Sequence, residues 1–262
     1  MTERDGWDGL PPGLRAGIEE RVGAVHDATV LRDGLDCRFA ATVTTDPHGR
    51  LFLKGVPDDA TDAAAALQYE ALLNPTVVGV GPLLRYDLRA AGWHVLVFER
   101  VDGRHADLGP GTRDLDAVRA VLTRMRALRV PPGITVPPLA ARFTGFLGPG
   151  DAERLAGETL LHTDTNPRSI LVTDITRRAY VVDWASPATG PAWVDAAYTA
   201  VRLMECDQPP GTALAWLATV PTWREADPGA VRTFVDTVCR HRTAALGERN
   251  AEPGNRRFQL LA

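Results

Sequence analysis

Lysine is almost missing from this chain. Of its 29 basic residues, 28 are arginine and one, Lys54, is lysine. Arginine offers a planar fork of donors, lysine a compact, strongly hydrated point charge. A position that keeps lysine against so strong a bias is read as one that needs a point charge, of the kind that sits on a phosphate oxygen. Cysteine is scarce as well. Cys37, Cys206 and Cys239 are odd in number and widely spaced, which argues against a disulfide frame or a zinc site and for a reducing cytoplasm. No stretch approaches the ~18 apolar residues of a membrane span. The opening segment MTERDGWDGLPPG has no apolar core and is read as no signal peptide. No basic run exceeds two residues and the net charge is −4, so neither nucleic acid nor an anionic membrane is expected as the main partner. Internal repeats and low-complexity segments are absent. What is present is a chain of 262 residues, 45% hydrophobic, enough to bury the core of one large domain or two lobes.

The surroundings of Lys54 sharpen its reading. Arg50-Leu51-Phe52-Leu53-Lys54-Gly55-Val56 follows an Asp46-Pro47-His48-Gly49 turn and has the look of a short strand. With a period of two, Lys54 shares a face with Phe52 and Val56. An ammonium on an apolar face is costly unless paired. Residues 60–73 predict a helix ended by Asn74-Pro75. Glu70 falls on that helix's apolar stripe with Ala66, Leu67 and Leu73. Two outcomes stand open: a buried pair between Lys54 and Glu70, or a Glu70 at the stripe's edge and solvated.

Along the chain, a helix is expected over 12–27, strands near 37–45 and 50–56, the 60–73 helix, and strands at 83–89 and 93–99. Glu99-Arg100-Val101-Asp102-Gly103-Arg104 reads as a linker. Beyond it, 113–128 is helical in period, 131–150 is rich in Pro and Gly and holds at most short helices, and 157–183 alternates apolar runs with turns. After Gly190 the chain reads as mostly helical to about residue 249. The expected fold class is α+β: a small β-rich lobe over 1–100 and a larger, mainly helical lobe over 101–262.

The densest chemistry lies in Leu160-Leu161-His162-Thr163-Asp164-Thr165-Asn166-Pro167-Arg168-Ser169-Ile170-Leu171-Val172. An apolar run delivers an acid into a polar loop, and a second apolar run follows. Ala179-Tyr180-Val181-Val182-Asp183-Trp184 repeats the device. Two carboxylates 19 residues apart, carried by a hairpin, could converge on one cleft with Lys54 opposite. Phosphoryl transfer needs such a set: one acid for the attacking hydroxyl, one for Mg²⁺, and a cation for the nucleotide phosphates.

From about residue 30 to 210 the sequence resembles the aminoglycoside phosphotransferase and choline kinase-like group, whose fold is protein-kinase-like. That group's catalytic loop reads His-Gly-Asp-x-x-x-x-Asn before an apolar strand; here it reads His162-Thr163-Asp164-Thr165-Asn166-Pro167-Arg168-Ser169. The resemblance implies Asp164 as catalytic base and Asp183, in Val182-Asp183-Trp184, as the metal-binding acid. It matches Lys54 and Glu70 to the strand lysine and helix glutamate. Phe98, Glu99 and Val101 fall in the hinge whose backbone takes adenine, and Asp195 matches an acid that braces the loop. ATP, with GTP open, and Mg²⁺ are the implied cofactors. The implied substrate is a small hydroxylated molecule, an aminoglycoside-like antibiotic or a metabolite. The group's acceptors dock against the helices after Gly190, where Glu205 and Asp207 could meet a cationic substrate.

Two departures bear on that implication. Ser169 stands where the group has its second metal ligand, Asn, and reaches less far. The phosphate-covering segment, residues 33–39, carries only Gly34, with Asp36 to repel phosphate and Arg38 to attract it. They leave room for an alternative, a pseudokinase that binds nucleotide or a partner without turnover. His162 and Asn166 are read as supports of the loop, and Trp184, Trp193, Trp216 and Trp223 as core or pocket wall. The other histidines (His26, His48, His94, His105 and His241) show no ligand spacing.

Overall fold

The computed structural model describes residues 6–31 and 37–262. Gly34 and Asp36 of the phosphate-covering segment lie outside the described residues. The chain divides into two compact units. One runs to Asp102 and also takes in Asp183–Ala185; the other comprises Gly103–Val182 and Ser186–Ala262.

The first unit begins with α1 (Pro12–Val22), opened by a proline whose missing N–H costs nothing in the first turn. It stops well short of residue 27. Gly23 takes φ 83°, a left-handed conformation suited to glycine, and a side chain there would collide with Pro47. The stretch that follows is strand β1 (Val25–Val30), whose first three residues the helical expectation had taken in. Then come β2 (Phe39–Thr45), β3 (Gly49–Pro57), α2 (Thr61–Val77), β4 (Leu84–Ala90) and β5 (Trp93–Glu99). The five strands form one antiparallel sheet in the order β1-β2-β3-β5-β4.

Alternation along β3 feeds two separate cores. Leu51 and Leu53 pack with Val43, Val95 and Val97 against Leu14, Ile18 and Val22 of α1. Phe52 and Val56 pack with Leu96 and Phe98 against Leu67 and Ala71 of α2. Lys54, in phase with Phe52 and Val56, therefore belongs to the α2 face. The α2 helix continues through Pro75 rather than ending before it. Proline in a last turn removes one helical hydrogen bond. Buried Leu73 and Val77 hold the turn, and the Asn74 side chain accepts from Leu84 N and donates to Pro82 O, both at 2.8 Å.

In the second unit, β6 (Gly103–His105), β8 (Ile170–Thr173) and β9 (Ala179–Val181) form an antiparallel sheet in the order β6-β8-β9, and β7 (Thr159–Leu161) pairs with β10 (Ala188–Gly190). Three residues of the expected linker are thus strand, Glu99 at the end of β5 and Gly103 and Arg104 in β6. Gly103 can pair there because it has no side chain; a Cβ would collide with the Val172 carbonyl. The expected 113–128 helix is α3 (Leu115–Met125). The Pro- and Gly-rich stretch holds one short 3₁₀ segment, Leu139–Phe143, before α4 (Asp151–Arg154). Helices α5 (Val194–Glu205), α6 (Pro210–Leu217), α7 (Pro221–Arg224), α8 (Pro228–Leu246) and α9 (Glu248–Gln259) carry the helical region ten residues past its expected end near 249. Their core is aromatic and edge-on: the Phe234 ring meets Trp193 at 5.4 Å, Tyr198 at 5.3 Å and Phe258 at 6.1 Å between centroids. None of Cys37, Cys206 and Cys239 is in a disulfide. Among the described residues, no helix is long and apolar enough to cross a membrane.

Candidate active site

Lys54 is buried, 4% exposed, and its ammonium meets two carboxylates. It forms an ion pair with Glu70 Oε2 and a bond of 2.7 Å to Asp183 Oδ1. The Phe98 ring lies beneath it, 5.8 Å to the centroid. Glu70 is buried too, at 6% exposure, so the solvated alternative falls. Burial pulls the Lys54 pKa down, but Asp183 and Glu70 outweigh it, and the net shift is upward. Burial pushes the Glu70 carboxyl above its ordinary range, with the ammonium pulling against it. Among the described residues no donor other than Lys54 reaches Glu70 Oε2. Asp183 differs from its neighbours in being open: its side chain is 58% exposed. It sits at φ 64°, a conformation that aspartate tolerates better than most residues.

In the second unit the loop between β7 and β8 carries Asp164. Asp195, at the start of α5 and 3% exposed, braces this loop. Its Oδ2 accepts from His162 N at 2.9 Å and its Oδ1 from Thr163 N at 2.7 Å. Burial raises the Asp195 carboxyl, and His162 and the two amides oppose the rise. The buried Thr165 and Thr199 hydroxyls lie 2.7 Å apart and within hydrogen-bond reach of the Asp195 carbonyl, at 3.1 and 2.7 Å. His162 bonds the Val182 carbonyl through Nε2 at 2.8 Å, and its Nδ1 accepts from Asp164 N at 3.2 Å. That pattern selects the tautomer with the proton on Nε2. Asp164 itself is exposed. Its Oδ2 accepts from Asn166 Nδ2 at 2.9 Å and its Oδ1 from Arg202 Nη2 at 3.1 Å.

Asn166 braces the loop from both ends of its amide, because its Oδ1 also accepts from Arg168 N and Ser169 N. Ser169 is buried, 5% exposed, and its carbonyl accepts from Val182 N at 2.9 Å. Phe98 is buried in the α2 layer. Glu99 N donates to Leu83 O at 2.9 Å, the Glu99 side chain pairs with Arg85, and the Val101 carbonyl accepts from the Arg100 guanidinium. Glu205 is already paired with Arg202, at 2.6 Å, while Asp207 is exposed at φ 66°. Among the described residues, no group of three or more His, Cys, Asp or Glu side chains could hold a metal by itself. The exposed Asp183 carboxylate is a hard oxygen donor, of the class that suits Mg²⁺.

Two residues of this site escaped the sequence reading. Arg202 had a signal: Asp195, Thr199 and Arg202 stand at i, i+4 and i+7 on α5 and share one face, so whatever faces the loop at Asp195 continues to Arg202. Thr163 is a β-branched residue at φ 68°, a conformation rare outside glycine. The glycine that the resembling group has at this position was its only signal.

No family model matches the chain, and no curated relative matches it. Solved structures do. An aminoglycoside phosphotransferase from Alicyclobacillus acidocaldarius superposes with a TM-score of 0.60 over 96% of this chain and 92% of that one, at 12% identity. The protein has the phosphotransferase fold. Choline kinase LicA from Streptococcus pneumoniae shares this protein-kinase-like fold at a TM-score of 0.55, covering 95% of this chain and 97% of its own at 13% identity. Amicoumacin kinase hAmiN, solved with AMP-PNP, Ca²⁺ and Ami, shares it at 0.56, over 89% and 87% at 12% identity. The phosphotransferase fold accordingly spans nearly the whole chain.

Proposed function

We propose that this protein is a small-molecule kinase that moves the γ-phosphoryl group of ATP to a hydroxyl of its acceptor. The observation that carries the reading is the buried Lys54 ammonium held by Glu70 and Asp183. A fixed point charge of this kind is what a nucleotide phosphate oxygen requires, and a purely structural ion pair would have no use for the half-open Asp183. Lys54 orients the phosphates, Glu70 fixes Lys54, and the backbone of Phe98, Glu99 and Val101 takes the base. Asp183, with Ser169 as a second ligand, holds Mg²⁺. Bound Mg²⁺ neutralises charge on the phosphoryl group in flight. Asp164 accepts the acceptor's hydroxyl proton as the new O–P bond forms and the bond from the γ-phosphorus to the β-bridging oxygen breaks, releasing ADP. The Asp195 brace keeps the loop that presents Asp164 from moving.

Support for nucleotide and divalent cation comes from the amicoumacin kinase, solved with AMP-PNP and Ca²⁺; GTP stays open as the donor. Support for the acceptor class comes from relatives in fold that act on choline or antibiotics, so an aminoglycoside-like antibiotic or a hydroxylated metabolite is the acceptor. Antibiotic resistance is one physiological role consistent with that class. Cysteines outside any disulfide fit a cytoplasmic protein. Ser169 favours a second reading, a pseudokinase that binds nucleotide without turnover, because its hydroxyl is shorter than the amide it replaces.

A panel of hydroxylated compounds incubated with Mg·ATP and Mg·GTP separates the two readings. The kinase reading expects a phosphorylated product, and Ser169→Asn should lower the Mg²⁺ needed for half-maximal turnover. The effect is modest, because exchanging a water-mediated contact for a direct one alters free energy by roughly 0–2 kcal/mol. Binding of Mg·ATP with no product from any acceptor, in wild type and Ser169→Asn alike, would favour the pseudokinase.

A further inference from the structure

The acid at the centre of the proposed reaction is gripped from outside its own loop. Arg202 on α5 donates from Nη2 to Asp164 Oδ1 at 3.1 Å and from Nη1 to Glu205 Oε2 at 2.6 Å. Glu205 stands one turn beyond Arg202 on the same helix, so the fork is anchored on the element that carries it. We infer that Arg202 is a positioning residue for Asp164, with Glu205 as its anchor; this rests on the reading of Asp164 as the base.

The geometry gives the arginine a task that packing cannot perform. The Asp164 side chain is 53% exposed, so no core fixes its rotamer. Asn166 holds one carboxylate oxygen and Arg202 the other. Each oxygen keeps a second lone pair, so a carboxylate held by two donors can still accept a proton from a hydroxyl. Two donors from two directions set the plane of the carboxylate, which a single bond from Asn166 would leave free to swing. Arginine's planar fork aims separate N–H groups in fixed directions, so Nη2 reaches Asp164 while Nη1 stays on Glu205. Burial lowers the Arg202 pKa, but Glu205 and Asp164 more than offset it, and the guanidinium stays charged. Glu205 also limits the price of placing a cation against a base, because it takes up part of the positive charge. An ion pair this exposed adds little to stability. Arg202 is therefore removable without unfolding the chain, and its effect should appear in rate rather than in melting.

The test uses the whole protein with Mg·ATP as the probe and water as the acceptor, so that the natural acceptor need not be known. Asp164→Asn, Arg202→Ala, Arg202→Lys, Glu205→Gln and the Arg202→Ala/Glu205→Gln pair are compared for kcat and for KM of ATP. Misplacing a reacting group by about 1 Å costs up to roughly a hundredfold in rate. Arg202→Ala should therefore lose roughly ten- to a hundredfold in kcat with KM for ATP unchanged, and Arg202→Lys should recover part of it. Glu205→Gln should lose less and should add nothing on top of Arg202→Ala, because it acts through the arginine. Full kcat in Arg202→Ala, no recovery in Arg202→Lys, or losses that multiply in the double variant would overturn the inference while leaving Asp164 as base. Turnover that is absent in wild type, or undiminished in Asp164→Asn, would overturn the reading of Asp164 and this inference with it.

Discussion

At the scale of single residues, the site depends on a charge that cannot be redistributed. Lys54 places one compact ammonium between Glu70 and Asp183, above the Phe98 ring. Arginine in its place would be larger and planar, and would have to displace one of the acids. A charge-assisted hydrogen bond contributes about 1.5–3 kcal/mol. Lys54→Arg should thus weaken Mg·ATP binding roughly ten- to a hundredfold by calorimetric titration; equal affinity in variant and wild type would remove Lys54 from the nucleotide site. Composition alone made this residue visible, since one lysine among 28 arginines marks its own position. Thr163 was not visible in that way, because a backbone angle leaves no trace in hydrophobic period. Its φ of 68° costs on the order of 1–3 kcal/mol in a β-branched residue. Its hydroxyl donates to Ser186 O at 2.9 Å, which returns about 0.5–1.5 kcal/mol. Thr163→Val keeps the strain and loses the bond. Arg142 still donates to Ser186 O, so the loss should stay near 1 kcal/mol. Thr163→Gly loses the same bond but relieves the strain, and should be more stable than Thr163→Val in urea unfolding. The reverse order would mean that the left-handed backbone is not where the strain lies.

At the scale of elements, one buried acid ties strand, turn and helix together. Asp114, just before α3, accepts from Arg104 of β6 at 2.6 and 3.0 Å, from Arg177 in the β8–β9 turn at 2.8 Å, and from Asp107 N at 2.8 Å. Burial works against its ionisation, but these donors win and hold the carboxyl below its ordinary range. The sign follows: a folded pKa below the unfolded value of about 3.9 gives stability that is present above that pH. It is lost as pH falls through the folded pKa. Wild type should therefore exceed Asp114→Asn in stability at neutral pH, and the gap should narrow below about pH 4. Urea unfolding at both pH values measures it; a gap that does not change with pH would contradict the clamp. Elements of this kind were partly legible. Alternation over Leu51, Phe52, Leu53, Lys54 and Val56 fixed both faces of β3, because each face is buried against a different helix. The end of α1 was missed because its periodicity ran on past Gly23, and α2 outlasted Pro75 because buried Val77 holds a turn that local chemistry would end. Strand β6 hid in a polar linker, since three residues paired to a neighbour carry no period of their own.

At the scale of the whole molecule, the order Lys54, Glu70, Asp164, Asp183 was readable, because chemistry-bearing residues beside apolar runs stand out in any sequence. Contacts that depend on the fold were not. Asp183–Ala185 belongs with the first unit although it follows the second unit's β9, and Arg202 reaches Asp164 across 38 residues of sequence. The acceptor is illegible for a related reason. Glu205, one of the two acids expected to meet a cationic substrate, is paired with Arg202, so charge pattern alone does not name what binds there. The division of labour between the two acids is the central claim, and Asp164→Asn and Asp183→Asn test it directly when each is measured for Mg·ATP affinity and for phosphoryl transfer. A base acts on the acceptor and not on the nucleotide, while a metal ligand acts on both. The expected result is that Asp164→Asn binds Mg·ATP nearly as wild type does and transfers nothing, while Asp183→Asn loses metal-dependent binding and transfer together. The same binding defect in both variants, or transfer surviving in Asp164→Asn, would contradict the roles assigned to these two carboxylates.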